Sequence, residues 1–118
     1  MCDFPSESDF LSLFECEPIL LDTANKDFPF FYNVATYQFS NGEEEFIVKL
    51  SPSYGEVKLQ VKQIDSDRLI SLLHLKRVNK FEIKADKQDF SSVLLTIKEE
   101  NFIQTIEIDF KPRFKCIL

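Results

Sequence analysis

The chain carries one histidine, His74, so a Ser–His or Cys–His nucleophile would have to be assembled around it, and a multi-histidine metal site is ruled out. Its neighbours Leu72, Leu73 and Leu75 put it at the border of a core, where an ordinary packed or surface histidine is the simpler reading. Carboxylates are the next group able to do chemistry, and Asp65-Ser66-Asp67 and Glu43-Glu44-Glu45 are the adjacent candidates for acid–base work or a divalent ion. Neither has the glycine and spaced oxygen ligands of a calcium loop, and glutamates at a hairpin tip read as a solvated turn that resists aggregation. Cys2, Cys16 and Cys116 lack metal-like spacing and read as reduced thiols, and Cys116 stands one residue short of a prenylation box. With only two glycines, Gly42 and Gly55, the chain has no glycine-rich phosphate loop. We therefore expect no catalytic residue, no metal and no cofactor.

What remains is charge. The first forty-five residues hold ten acids (Asp3, Glu7, Asp9, Glu15, Glu17, Asp22, Asp27, Glu43, Glu44, Glu45) against Lys26 alone, whereas the rest holds ten acids against thirteen Lys and Arg. The net charge of −6 is thus polarised along the sequence, which is a statement about partners. Glu7 and Asp9 are explained by a helix N-terminus, but Glu15 and Glu17 fall near the helix end, where negative charge opposes the dipole. Lys58, Lys62 and Lys84 could share the outward face of a sheet, yet the acidic balance and interleaved Glu82 and Asp86 argue against nucleic acid.

The elements that position these groups follow from local pattern. Ser6-Glu7-Ser8-Asp9 reads as a capped helix start, with Phe10, Leu13 and Phe14 at helical spacing and Pro18 limiting the helix to about two turns. Residues 19 to 31 read as a loop pinned to the core by Phe28, Phe30 and Phe31. Asn41-Gly42 predicts a two-residue hairpin with Ser40 facing Glu43, Tyr37 facing Phe46 and Ala35 facing Val48. Ser51 to Gly55 is a turn, and Val57, Leu59 and Val61 then alternate with polar residues as a half-buried strand does. Residues 66 to 78 fit a short helix or a strand. Phe81, Ile83 and Ala85 mark another strand, and Val93, Leu95 and Ile97 are expected to pair with Ile108, Ile106 and Gln104. Phe114 to Leu118 supplies a last short strand.

Strands follow one another too closely for parallel crossovers. The expected fold is therefore α+β, mainly β: an antiparallel sheet or small β-sandwich with one short N-terminal helix. At 118 residues a single domain is expected over 1–118, in which a helix and loop segment, 1–31, packs on a β-rich body, 32–118. Thirteen Phe and no Trp mean that Phe fills most of the aromatic core. No apolar run approaches the roughly 20 residues of a membrane span, and the acidic start lacks a signal peptide's pattern. A cytoplasmic protein without a membrane partner is expected.

The short helix (Ser6 to Glu15), the aromatic lead-in (Phe28 to Tyr32), the Asn41-Gly42 hairpin and the strands ending in Phe114-Lys115-Cys116 together resemble the small immunity proteins of bacterial polymorphic toxins, including those of contact-dependent growth inhibition. In one β-rich immunity family a Phe-His-Asp-like lead-in precedes the first strand, and the comparable place here reads Phe31-Tyr32-Asn33-Val34. The resemblance implies a non-enzymatic protein, a monomer or weak dimer, that binds one toxin domain and blocks its active site or substrate groove. For a nuclease-type toxin with a basic groove, the candidate contacts are the carboxylates of Glu15, Glu17, Asp22, Asp27, Glu43, Glu44 and Glu45, with Tyr32 or Tyr54 as anchor. The competing reading is a small ligand-binding or regulatory β domain with an apolar, Phe-lined pocket.

Overall fold

In the computed structural model, which describes residues 3–24 and 27–118, helix α1 (Glu7–Phe14) begins where the sequence places it. Ser6 is the N-cap, and its hydroxyl accepts from the Asp9 amide while the Asp9 carboxylate accepts from the Ser6 amide, a capping box. The helix ends at Glu15, whose left-handed backbone (φ 56°) sends its N–H back to the Leu11 carbonyl, three residues before Pro18. Phe10, Leu13 and Phe14 form its buried stripe, each worth about 1.5–3 kcal/mol of transfer free energy.

Two antiparallel sheets follow. One has the order β1 (Ile19–Leu20), β2 (Ala35–Ser40), β3 (Glu44–Ser51), β4 (Glu56–Gln63), β5 (Leu69–Leu75), and the other β6 (Val78–Asp86), β7 (Ser91–Glu99), β8 (Phe102–Lys111), β9 (Lys115–Ile117). This is the mainly-β, α+β architecture expected. The inner faces of both sheets and α1 share one core. Aromatic rings join them: Phe46 meets Phe110 at 5.3 Å and Phe10 meets Phe81 at 5.1 Å, both edge-on, while Phe14 stacks on Phe39 at 4.6 Å. Much of the chain's phenylalanine is therefore packed against itself.

Several expectations change. The β2–β3 hairpin pairs Ser40 with Glu45, Phe39 with Phe46 and Tyr37 with Val48, a register two residues away from the expected one. The cause is Asn41, whose Oδ1 accepts from the amides of both Glu43 and Glu44 and so builds a four-residue loop. A shift of two keeps every side chain on its face, so Tyr37, Phe46 and Val48 remain inside. The stretch read as a loop contains β1, which pairs Ile19 with Thr36 and Leu20 with Ala35. Residues 66 to 78 resolve into β5, because pairing with β4 decides what local pattern leaves open. The β7–β8 pairing is as expected, with Val93 opposite Ile108, Leu95 opposite Ile106 and Ile97 opposite Gln104. Lys84 lies on β6, in a different sheet from Lys58 and Lys62, so these three do not share a face.

Candidate partner-binding surface

The acids of the first forty-five residues fall into two groups. The first surrounds the β8–β9 turn. Lys111 reaches the Glu15 carboxylate at the helix end, and Arg113 approaches Glu43 at 3.2 Å from the hairpin tip. Glu44 Oε1 accepts both from the Phe114 amide (2.7 Å) and from Asn41 Nδ2 (2.8 Å), while the same Asn41 amide donates to the Phe110 carbonyl (2.9 Å). The helix end and the hairpin tip thus converge on one turn, but the turn inserts its own cations between them. Much of the charge of Glu15, Glu43 and Glu44 is engaged within the chain. Glu45 stands apart from this group, on the outward face between Ser40 and Lys62.

The second group lies along α1 and the segment after it. Glu7 and Glu17 line one hollow with Leu11 and Pro18, and Glu7 and Asp22 line a second with Leu20 and Phe30. Glu7 therefore links Glu17 to Asp22. The negative field reaches inward: Tyr37, buried on β2 against Phe10 and Phe14 of α1, has its phenol pushed well above its ordinary 10.0, first by burial and then by Glu7, Cys16 and Glu17. Burial also raises the Cys16 thiol, with Glu17 adding to the effect against a backbone hydrogen bond at Gln38. Asp27 is exposed just before Phe28.

A clamp fixes the segment that carries Asp22. Buried Asn33 accepts from the amides of Asp22 (3.1 Å) and Val34 (2.9 Å) and donates to the Asp22 carbonyl (2.9 Å), while the Leu21 amide donates to Val34 O (2.9 Å). Because of this clamp, the end of β1 is held with Ile19 and Leu21 turned outward, 73% and 78% exposed. Tyr32 and Tyr54 are likewise exposed, at 62% and 78%, on short 3₁₀ turns (Phe30–Tyr32 and Pro52–Tyr54) that lie against each other. Tyr54 does not stand among the acids; it shares a hollow with Leu21, Lys49 and Lys58.

Sequence reasoning missed Glu7 as a surface acid, having assigned it to the helix cap, and missed Ile19, Leu21 and Lys49. The lost signal was strand pairing, since a two-residue β1 has no periodicity of its own. His74 sits on the outward face of β5 opposite Lys58 and 3.8 Å from Glu56. Asp67, in the left-handed region at φ 55°, approaches Lys62 at 3.7 Å in the β4–β5 turn. Among the described residues no group of three or more His, Cys, Asp or Glu is placed to hold a metal ion, and no helix is long and apolar enough to cross a membrane.

The fold on which these residues stand is a two-sheet antiparallel one with a capped N-terminal helix. No family model and no curated protein matches the sequence. The fold, however, is similar to that of a chain in the solved contact-dependent growth inhibition toxin–immunity protein complex from Klebsiella pneumoniae 342, with a TM-score of 0.73, 21% sequence identity, and coverage of 98% of this chain and 94% of that one. The likeness is one of fold, and the immunity protein named in that complex is of the kind that the helix, lead-in, hairpin and tail of the sequence resemble.

Proposed function

We propose that the chain is an immunity protein, a non-enzymatic cytoplasmic inhibitor that binds a cognate toxin domain and covers its active site or substrate groove. The observation that carries this reading is the fold likeness to a chain of a toxin–immunity complex, which runs over nearly the whole chain rather than one motif. The toxin is of nuclease type, with a basic groove that the acids of α1 and the following segment enter in place of a nucleic-acid backbone. Glu7, Glu17 and Asp22 are better placed for this than Glu15, Glu43 and Glu44, whose carboxylates face Lys111, Arg113 and the Phe114 amide. Opposite charge steers the encounter, and contact geometry sets which toxin is bound.

The test uses the toxin domain encoded beside the gene. Co-expression should restore growth to cells making that domain, and titration calorimetry should show a 1:1 complex whose Kd rises with salt. A domain that stays active in excess inhibitor overturns the immunity reading. Neutralising Glu7, Glu17 and Asp22 together to Gln and Asn should weaken the complex at least tenfold. An unchanged Kd removes the acidic flank from the interface.

A further inference from the structure

Across β1 from the acidic flank the surface changes sign. The register pairs Lys49 of β3 directly with Lys58 of β4 on the outward face of the five-stranded sheet, with His74 of β5 opposite Lys58 on its other side. Like charges directly opposite on adjacent strands are unfavourable, and among the described residues neither lysine has an ion-pair partner. Both line a hollow of about 260 Å³ with Leu21, Tyr54 and Glu56, whose carboxylate lies 3.8 Å from His74 and pairs with neither lysine, and Lys49 also lines a neighbouring hollow of about 200 Å³ with Ile19 and Leu21. Exposed apolar side chains are thus gathered where two lysines without a direct ion-pair partner face each other, with Glu56 as the one carboxylate lining that hollow.

We infer that this β1 edge is the seat of the toxin domain: a toxin carboxylate bridges Lys49 and Lys58, toxin apolar side chains cover Ile19 and Leu21, and toxin bases meet Asp22 across the strand. The inference rests on the immunity reading and adds the part of the interface that acid alone does not supply. Charge complementarity selects the occupant. A nucleic-acid strand laid on the lysines would run into Glu7 and Asp22 on the far side of β1, and it leaves the aliphatic side chains without a counterpart. A protein surface bearing both signs satisfies all three zones. The Asn33 clamp means that the edge is held in shape before the partner arrives, which lowers the ordering cost of docking.

The experiment measures Kd of the neighbouring toxin domain for the unmodified chain, for K49E/K58E, for I19A/L21A, and for K84E/K87E, which carries the same charge change at the far end of β6. In K49E/K58E two glutamates replace two lysines beside Glu56, so the thermal midpoint is read for every variant and Kd is compared at a temperature where all of them are folded. We expect K49E/K58E and I19A/L21A each to raise Kd at least tenfold and K84E/K87E to leave it within twofold. If K49E/K58E binds as tightly as K84E/K87E, the inference falls while the immunity reading stands. If the unmodified chain forms no complex, both fall. If K49E/K58E abolishes binding of a single-stranded RNA oligonucleotide and leaves the toxin Kd unchanged, the face serves nucleic acid and the inference is wrong.

Discussion

Reversing one lysine of the Lys49–Lys58 pair should stabilise the protein. The two face each other directly across β3 and β4 on an exposed face. Two unit charges about 6 Å apart in water interact with roughly 0.7 kcal/mol, and a Debye length of about 8 Å at physiological salt reduces this to about 0.3 kcal/mol. Lys49→Glu removes that repulsion and adds a similar attraction, a gain of about 0.6 kcal/mol, within the range of cross-strand pairs. With a urea m-value of about 1–2 kcal/mol/M, the midpoint should rise by roughly 0.3–0.6 M. The double-mutant cycle through Lys58→Glu and K49E/K58E should give a coupling of about 1.2 kcal/mol, since each residue's separate interaction with the nearby Glu56 cancels in the cycle. In 1 M salt the effect should nearly vanish. Two single variants that each lose stability, or a cycle with no coupling, would refute the claim that these lysines repel each other in the folded state.

Glu44→Ala should cost about 1–3 kcal/mol, because it leaves the Phe114 amide and the Asn41 side chain without their shared acceptor. Faster hydrogen exchange at the Phe114 amide would report the loss, and unchanged exchange would show that Glu44 does not hold the turn. Tyr37 makes stability depend on alkaline pH. Burial keeps its phenol neutral in the folded chain while the unfolded chain ionises at about 10.0, so stability should fall as pH rises above that value, by up to about 1.4 kcal/mol per pH unit. Urea titrations between pH 9 and 11, roughly spanning that value, should show a shallower decline for Tyr37→Phe, and equal declines would place the effect elsewhere.

The parts of the fold legible in the sequence are those whose pattern is local. Val93, Leu95 and Ile97 alternate cleanly against Ile108 and Ile106, and the register follows. The Asn41-Gly42 hairpin is legible, but its register is not, because the Asn41 side chain accepts from the Glu43 and Glu44 amides and lengthens the loop. β1 is two residues long, too short for any periodicity, and its existence depends on Asn33, more than ten residues later in the chain. The candidate surface divides in the same way. Composition reveals the acids, yet which of them are free to meet a partner depends on Lys111 and Arg113, which come from the other end of the chain. Lys49 and Lys58 look like ordinary wet-face residues until the β3–β4 register sets them opposite each other.

That register also bears on specificity. A uniformly acidic inhibitor fits any basic groove in many orientations, since charge alone attracts without fixing position. For the inhibitor proposed above, placing Lys49 and Lys58 on β3 and β4, across β2 from the β1 edge that leads into Asp22, makes the wrong orientation costly, because a turned or unrelated toxin would set bases against them. Discrimination then comes from the repulsion as much as from the acid. The lysine pair stays unfavourable in the free protein, and a stabilising glutamate at position 49 would remove the very group that rejects the wrong partner. On this reading Lys49→Glu should gain stability and lose affinity together, a combination that neither a purely structural nor a purely acidic interface produces.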